Sequence, residues 1–128
     1  MANNLVLAES SRLVDASFGT AAYTAPTTPM KLALMTANGS NTAAGTEVVG
    51  GSYARQSLVM AAASAGVAVN SGTVAFTAMP AVTVTGVEIY DSAGSPRRAW
   101  VGALTTPRTT GAGDTLSFAA SSISASLI

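Results

Sequence analysis

The chain has 128 residues, 48% apolar and only 9% charged, with six basic and six acidic side chains cancelling to zero net charge and no Cys or His. Without Cys there is no disulfide, thiolate nucleophile or Cys-based metal site, and without His the usual general base and commonest transition-metal ligand are missing; most hydrolase triads are excluded. So neutral a chain offers no basic field for nucleic acid or an anionic membrane, and no apolar run approaches the roughly 20 residues that span a bilayer.

The first segment predicts an amphipathic helix over about Leu5 to Phe18, within a helical region of about 4–19. Leu7, Val14 and Phe18, with Val6 and Leu13 beside them, share one side, with which the helix is expected either to cover the open end of the β-sandwich or to reach to a neighbour. Glu9, Arg12 and Asp15 lie on the other side and are expected in solvent. Asn3 or Asn4 is the expected cap, and Gly19 a left-handed stop. The opening "MANNLVLAESSRLV" carries no basic n-region, so export through a signal peptide is not expected. Pro26 and Pro29 then hold residues 20–29 in an extended linker.

From Met30 onward the period becomes two. "MKLALMT" sets Met30, Leu32 and Leu34 against Lys31 and Ala33, and "YARQSLVM" predicts a strand over about Tyr53 to Met60. "GVAVN" and "TVAFTAM" read as a hairpin through Asn70, Ser71 and Gly72, because Asn and Gly accept positive φ. In "AVTVTGVEIYD" the apolar parity switches at Gly86, which predicts a bulge or sharp twist. After the turn "DSAGSP", "RRAWVGAL" is apolar on both sides and reads as a central strand. After "TGAGD", Leu116 and Phe118 point one way, and Ile123, Ala125 and Leu127 alternate with serines.

About seven or eight short strands with regular turns predict an antiparallel β-sandwich with one N-terminal α-helix. Residues 1–128 read as a single domain, with the sandwich over 30–128. Leu32, Leu34, Phe76, Trp100 and Phe118 are the expected core anchors.

Chemistry is sparse. "GTEVVGGSYARQ", Gly45 to Gln56, is glycine-rich, but it lacks the Lys and the helix mouth of a phosphate loop. It reads as a tight turn before a strand, with Glu47 placed to pair with Arg55; an exposed pair of that kind contributes about 0 to 1 kcal/mol. Glu88 and Asp91 are a carboxylate pair of the kind glycosidases use, yet one Trp and three Tyr cannot line a sugar cleft. They are expected to be solvated or to pair with Arg97 and Arg98 across the hairpin. Arg97, Arg98 and Trp100 read as a hairpin edge and a core aromatic rather than a nucleic-acid or glycan patch. No catalytic residue, cofactor or metal is expected.

"MKLALMT", "GTEVVGGSYARQ", "TGVEIYDSAG" and "WVGALTTPRTTGAGDTLSFAA", in this order, resemble the small tail-fibre-type proteins of tailed, notably actinobacterial, phages. The resemblance runs from about Tyr23 onward, and more loosely over the helix. It implies a non-enzymatic structural protein of the phage particle, with Gly45, Glu47, Gly50, Gly51, Tyr53, Ala54, Arg55 and Gln56 matching the family's signature as architecture. Fibres draw length from coiled coils, β-helical repeats or intertwined trimers, none of which is visible here. Physical reasoning therefore favours a capsid decoration (cement) protein, with a tail fibre or minor tail component as the alternative. A receptor- or glycan-binding module using the loop Ala37 to Thr46 is a further alternative. The expected partners are copies of itself in a cyclic homo-oligomer such as a trimer, and a phage capsid or tail protein, on the head surface or tail of the virion. Nucleic acid and membrane are not expected partners.

Overall fold

In a computed structural model, which describes residues 2–127, the chain is mainly β, with antiparallel pairing dominant and one helix near its start. Strand β1 (Ala2–Leu5) leads through Val6 into helix α1 (Leu7–Phe18), and an extended stretch then reaches β2 (Met30–Ala37). The short strands β3 (Thr46–Glu47), β4 (Gln56–Leu58) and β5 (Val67–Val69) precede β6 (Val74–Met79). The long hairpin of β7 (Val82–Tyr90) and β8 (Arg98–Thr110) comes next, followed by β9 (Asp114–Phe118) and β10 (Ser124–Ser126).

The larger sheet is ordered β3-β2-β7-β8-β1-β10-β5, and β4 shares with β3 the outer edge of β2. Strands β6 and β9 form a second, two-stranded sheet, which makes an unequal sandwich. Period-two alternation builds the core between them. Leu32, Ile89 and Trp100 stand side by side across β2, β7 and β8, so they share a face. Against that face β6 and β9 send Val74, Phe76, Met79, Leu116 and Phe118. Leu32, Leu34, Phe76 and Phe118 are buried in this cluster, while Trp100 packs against it half-buried. Phe76 is the hub, stacked on Tyr53 at 5.9 Å and edge-on to Phe118 at 6.3 Å between ring centres. Each such pair adds about 0.5–1.5 kcal/mol beyond its burial.

Four local expectations change. The helix expected from about Leu5 begins only at Leu7, because Ala2–Leu5 is a strand held between β8 and β10. That slot satisfies backbone groups on both edges of β1, and it overrides local helix preference. Asn3 is consequently a buried strand residue donating to the Ser124 carbonyl at 3.0 Å rather than a cap. Val6 occupies the cap position with no side-chain bond, and Gly19, at φ 72°, ends the helix in the left-handed conformation.

The stretch Val67–Met79 is not a hairpin: β5 pairs with β10 and β6 with β9, so the turn at Asn70 carries the chain from one sheet to the other. Asn70 is wholly buried there. Its side-chain amide donates to the carbonyls of Gly72 (2.8 Å) and Ala119 (2.9 Å), and its oxygen accepts the Ile123 N–H (2.8 Å). At the other end, Ile123 and Ala125 are buried as their alternation implies, but Leu127 is exposed.

Gly86 does mark a break in register between β7 and β8. A Cβ there would lie 2.3 Å from the Asn38 side-chain oxygen and 2.7 Å from the Gly102 carbonyl, so only glycine fits. The expected strand Tyr53–Met60 is regular only over Gln56–Leu58.

Candidate functional site

"GTEVVGGSYARQ" folds as a split edge strand. Its two ends, β3 and β4, both pair with β2, but between them the chain leaves the edge. Val48 drops into the core and donates its N–H to the Leu34 carbonyl at 3.0 Å. The Leu34 N–H in turn finds the Tyr53 hydroxyl at 2.9 Å, so a phenol stands where a neighbouring strand would have supplied a carbonyl. At the crest Gly50 and Gly51 take φ of 103° and 54°, and a Cβ on Gly51 would lie 2.7 Å from the Ala78 carbonyl. The Ser52 N–H donates to that same carbonyl at 3.0 Å, tying the crest to β6.

The side chains of this segment begin an ionic chain. Tyr53 donates to Glu47 at 2.8 Å, and Arg55 grips the same carboxylate with two bonds of 3.0 and 2.8 Å. The Arg55 guanidinium lies 3.9 Å from the centre of the Tyr90 ring, and the Tyr90 hydroxyl donates to Glu88 at 2.8 Å. The other oxygen of Glu88 accepts the Gly45 N–H at 2.9 Å and meets Arg98 at 2.8 Å. Arg98 also donates to the Ser40 carbonyl, drawing the loop after β2 over the buried acid.

Next along the chain, Arg97 turns to the helix instead. It donates to Glu9 (3.1 Å), the Thr24 carbonyl (2.9 Å) and the Tyr23 hydroxyl (3.3 Å). Tyr23 donates to Glu9, and Arg12 closes the cluster on Glu9 at 2.8 Å. Asp91 accepts the N–H groups of Arg97 (2.7 Å), Thr27 (3.1 Å) and Ala93 (3.2 Å).

Of the six basic and six acidic side chains, four of each belong to these two clusters: Arg12, Arg55, Arg97 and Arg98, with Glu9, Glu47, Glu88 and Asp91. The expectation of a solvated Glu9 is therefore reversed. Glu9 is 1% exposed, while Leu7, Val14 and Phe18 on the apolar side are 53%, 55% and 80% exposed, so that side does not cover the sandwich. The body beneath α1 presents Arg97 and Tyr23, and the acid that matches them decides which side of the helix turns inward. Periodicity reports only where apolar groups align, not what surface waits for them.

The environment fixes the charge states. For Glu47, burial is outweighed by the bonds from Arg55 and Tyr53, which hold its carboxyl below the ordinary range. The Arg97 amide, with those of Thr27 and Ala93, overcomes burial and holds Asp91 low as well. Burial, then the Glu88 carboxylate, pushes the Tyr90 phenol up to about 12, and burial raises Tyr23 and Tyr53 too.

Every oxygen of Glu88 and Asp91 is engaged, and a carboxylate held low, as Asp91 is, makes a poor general acid. Among the described residues no three His, Cys, Asp or Glu side chains gather to hold a metal ion. The loop Ala37 to Thr46 is braced internally by Ser40, whose hydroxyl accepts the N–H of Ala43 at 3.1 Å. Sequence reading singled out the Glu47–Arg55 pair, the partners of Glu88 and, as part of the signature, Tyr53, but not the bonds of Tyr53, and it missed Tyr23 and Tyr90; no spacing rule marks phenols that link acid to base.

Fold and clusters together describe a small β protein that turns part of its sparse charge inward, with Glu9, Glu88 and Asp91 buried: the build of a structural subunit. The family model described as Podophage GP4 fiber I protein gp80 matches residues 6–126, and the chain belongs to that family, which makes it a structural protein of a bacteriophage particle. A search of curated proteins found no match. The family fits the tail-fibre reading and not the capsid decoration favoured on physical grounds, so that preference is set aside. Absence of long repeats misled it, since a fibre can include compact parts.

Proposed function

We propose that this chain is a non-enzymatic component of a podophage tail fibre, working by surface complementarity with copies of itself and with a neighbouring tail protein. The observation that carries the reading is the family match over residues 6–126. The partly inward-turned charge supports it: a surface poor in charge and with no net charge favours association and offers little electrostatic steering to a charged substrate. The test is to disrupt purified virions, separate heads from tails, and quantify this polypeptide in each fraction by mass spectrometry. Enrichment with the tail proteins is expected. Recovery with the heads, in proportion to the major capsid protein, would return it to decoration.

A further inference from the structure

The loop from Ala37 to Thr46 and the first turns of α1 enclose a groove of about 640 Å³, with Ala8 and Ser11 on the helix side, Asn41, Thr42 and Ala44 on the loop side, and Arg12, Arg97 and Arg98 in its lining. Its two sides are fixed to each other. The Leu7 N–H donates to the Asn41 carbonyl at 2.8 Å, and the Ser40 hydroxyl accepts the N–H groups of Thr42 (3.3 Å) and Ala43 (3.1 Å). The groove has more donors than the protein uses. Glu88 and the Ser40 carbonyl both meet Arg98 at Nη2, and its Nε is buried without a partner, as is the Nε of Arg97. Arg12 meets Glu9 through Nη1 alone among the described residues, and its side chain is 42% exposed. In the first turn of the helix, Leu7 donates to Asn41, and Glu9 and Ser10 to Val6, which leaves the Ala8 N–H with no acceptor among the described residues. The acids that face these arginines, Glu9 and Glu88, have side chains only 2% and 0% exposed. Three cations against two carboxylates leave one positive charge over, and spare donors in so confined a place call for an acceptor from outside.

We infer that this groove binds an acidic sugar, a hexuronate unit of a polysaccharide, whose carboxylate is held by Arg12 and Arg98 through the nitrogens they do not spend on Glu9 and Glu88. Charge selects the anion. One surplus positive charge matches a carboxylate, whereas a phosphate monoester carries about −1.5 to −2 and would be left undercompensated. A guanidinium is a planar fork that can serve two carboxylates on different edges, so an arginine paired inward still recognises a second acid. The free Ala8 N–H at the helix start adds a further donor and favours negative charge. Size selects the sugar over a lone acidic side chain: the groove falls within the range of about 300–1,000 Å³ that small-molecule sites occupy, and Ser11, Asn41 and Thr42 offer hydroxyl and amide groups for ring hydroxyls. Because loop and helix are already tied together, little ordering is needed on binding. Arg97 and Arg98, neighbours in β8, thus contribute to one groove, and the loop that braces it gains a role beyond architecture.

The purified full chain, labelled with nitrogen-15, is titrated with D-glucuronate, with D-glucose and with acetate while amide shifts are followed. Saturable shifts at Ala8, Asn41 and Thr42 are expected with glucuronate, at a dissociation constant of roughly 1 mM, and at least about tenfold weaker binding with the other two. Arg12→Gln removes the exposed cation and leaves Glu9 its bond from Arg97; it is expected to weaken glucuronate at least about fivefold. Ala44→Trp fills the groove without touching a charge and is expected to abolish the shifts while the remaining amides keep their native positions. The proposal is overturned by the absence of saturable shifts at these amides, by glucose binding as tightly as glucuronate, or by an Arg12→Gln chain that binds as the original does. Acetate as tight as glucuronate would reduce the groove to a seat for an acidic side chain of a neighbouring protein, which also overturns the sugar. None of these readouts depends on where in the virion the chain resides, so the tail assignment stands or falls separately.

Discussion

Glu88 and Arg98 meet at 2.8 Å with the Glu88 side chain wholly out of solvent and that of Arg98 only 13% exposed. Removing one member of such a pair strands the other, at a cost of about 3–5 kcal/mol. Glu88→Ala is expected to lose that much in urea denaturation. The double change Glu88→Leu with Arg98→Met is expected to lose less than either single change, because no charge is left alone. Single losses that simply add would show that the two side chains act independently.

The helix should be separable from the body. With Glu9→Ala, Arg97 and Tyr23 lose their shared acceptor and α1 has no other fully buried side chain to hold it. Amide exchange over Leu7–Phe18 is expected to accelerate at least about tenfold while β2, β7 and β8 keep their protection. Uniform acceleration across all elements would mean that helix and sheet unfold as one unit.

Acid should weaken the fold in a defined window. Glu47 and Asp91 sit below ordinary values of 4.5 and 3.8 in the folded chain. Their stabilisation is therefore complete above those values and is lost as pH falls through the lower folded ones. Denaturation midpoints are expected to be level just above pH 5 and to decline below about pH 4.5. Glu47→Gln should flatten part of that decline.

At the alkaline end the sign reverses. All three tyrosines have phenols raised above the ordinary 10.0, Tyr90 to about 12. The neutral phenol is the folded form, so stability is whole below 10.0 and falls as pH rises through the folded values. Phenolate absorbance should appear only above the ordinary value in the native chain and near it in denaturant; a native tyrosine titrating near 10.0 would contradict the burial described.

Gly86→Ala is expected to cost about 1–3 kcal/mol, since its Cβ would press on the Gly102 carbonyl at 2.7 Å. Gly94→Ala, with nothing within 4 Å, serves as the neutral control. Equal stabilities for the two variants would mean that β7 and β8 can shift apart.

What the sequence made legible follows from range. Period-two alternation is a local signal, and it located β2, the β7–β8 hairpin and β9, together with the break at Gly86. Pairing partners depend on distant residues, so the turn at Asn70 looked like a hairpin when it is a crossing between sheets. The candidate site divides the same way. Glu47 and Arg55 are eight residues apart and readable as a pair, whereas Glu9 and Arg97 are 88 apart, and nothing near Glu9 announces the cation waiting for it.

Strand β1 carries a consequence for how the chain reaches this state. It lies between β8 and β10, and β5 joins the larger sheet through β10, so two strands are connected to the rest only by way of Ala2–Leu5. The link spans nearly the whole sequence, with Asn3 opposite Ala125. Contacts of such separation carry a heavy loop-closure cost and form late. Until β1 is seated, the flanks of β8 and β10 are open ladders able to accept a strand from another chain. In a crowded cell, the speed of that closure sets how long each newly made chain presents those open edges to its neighbours.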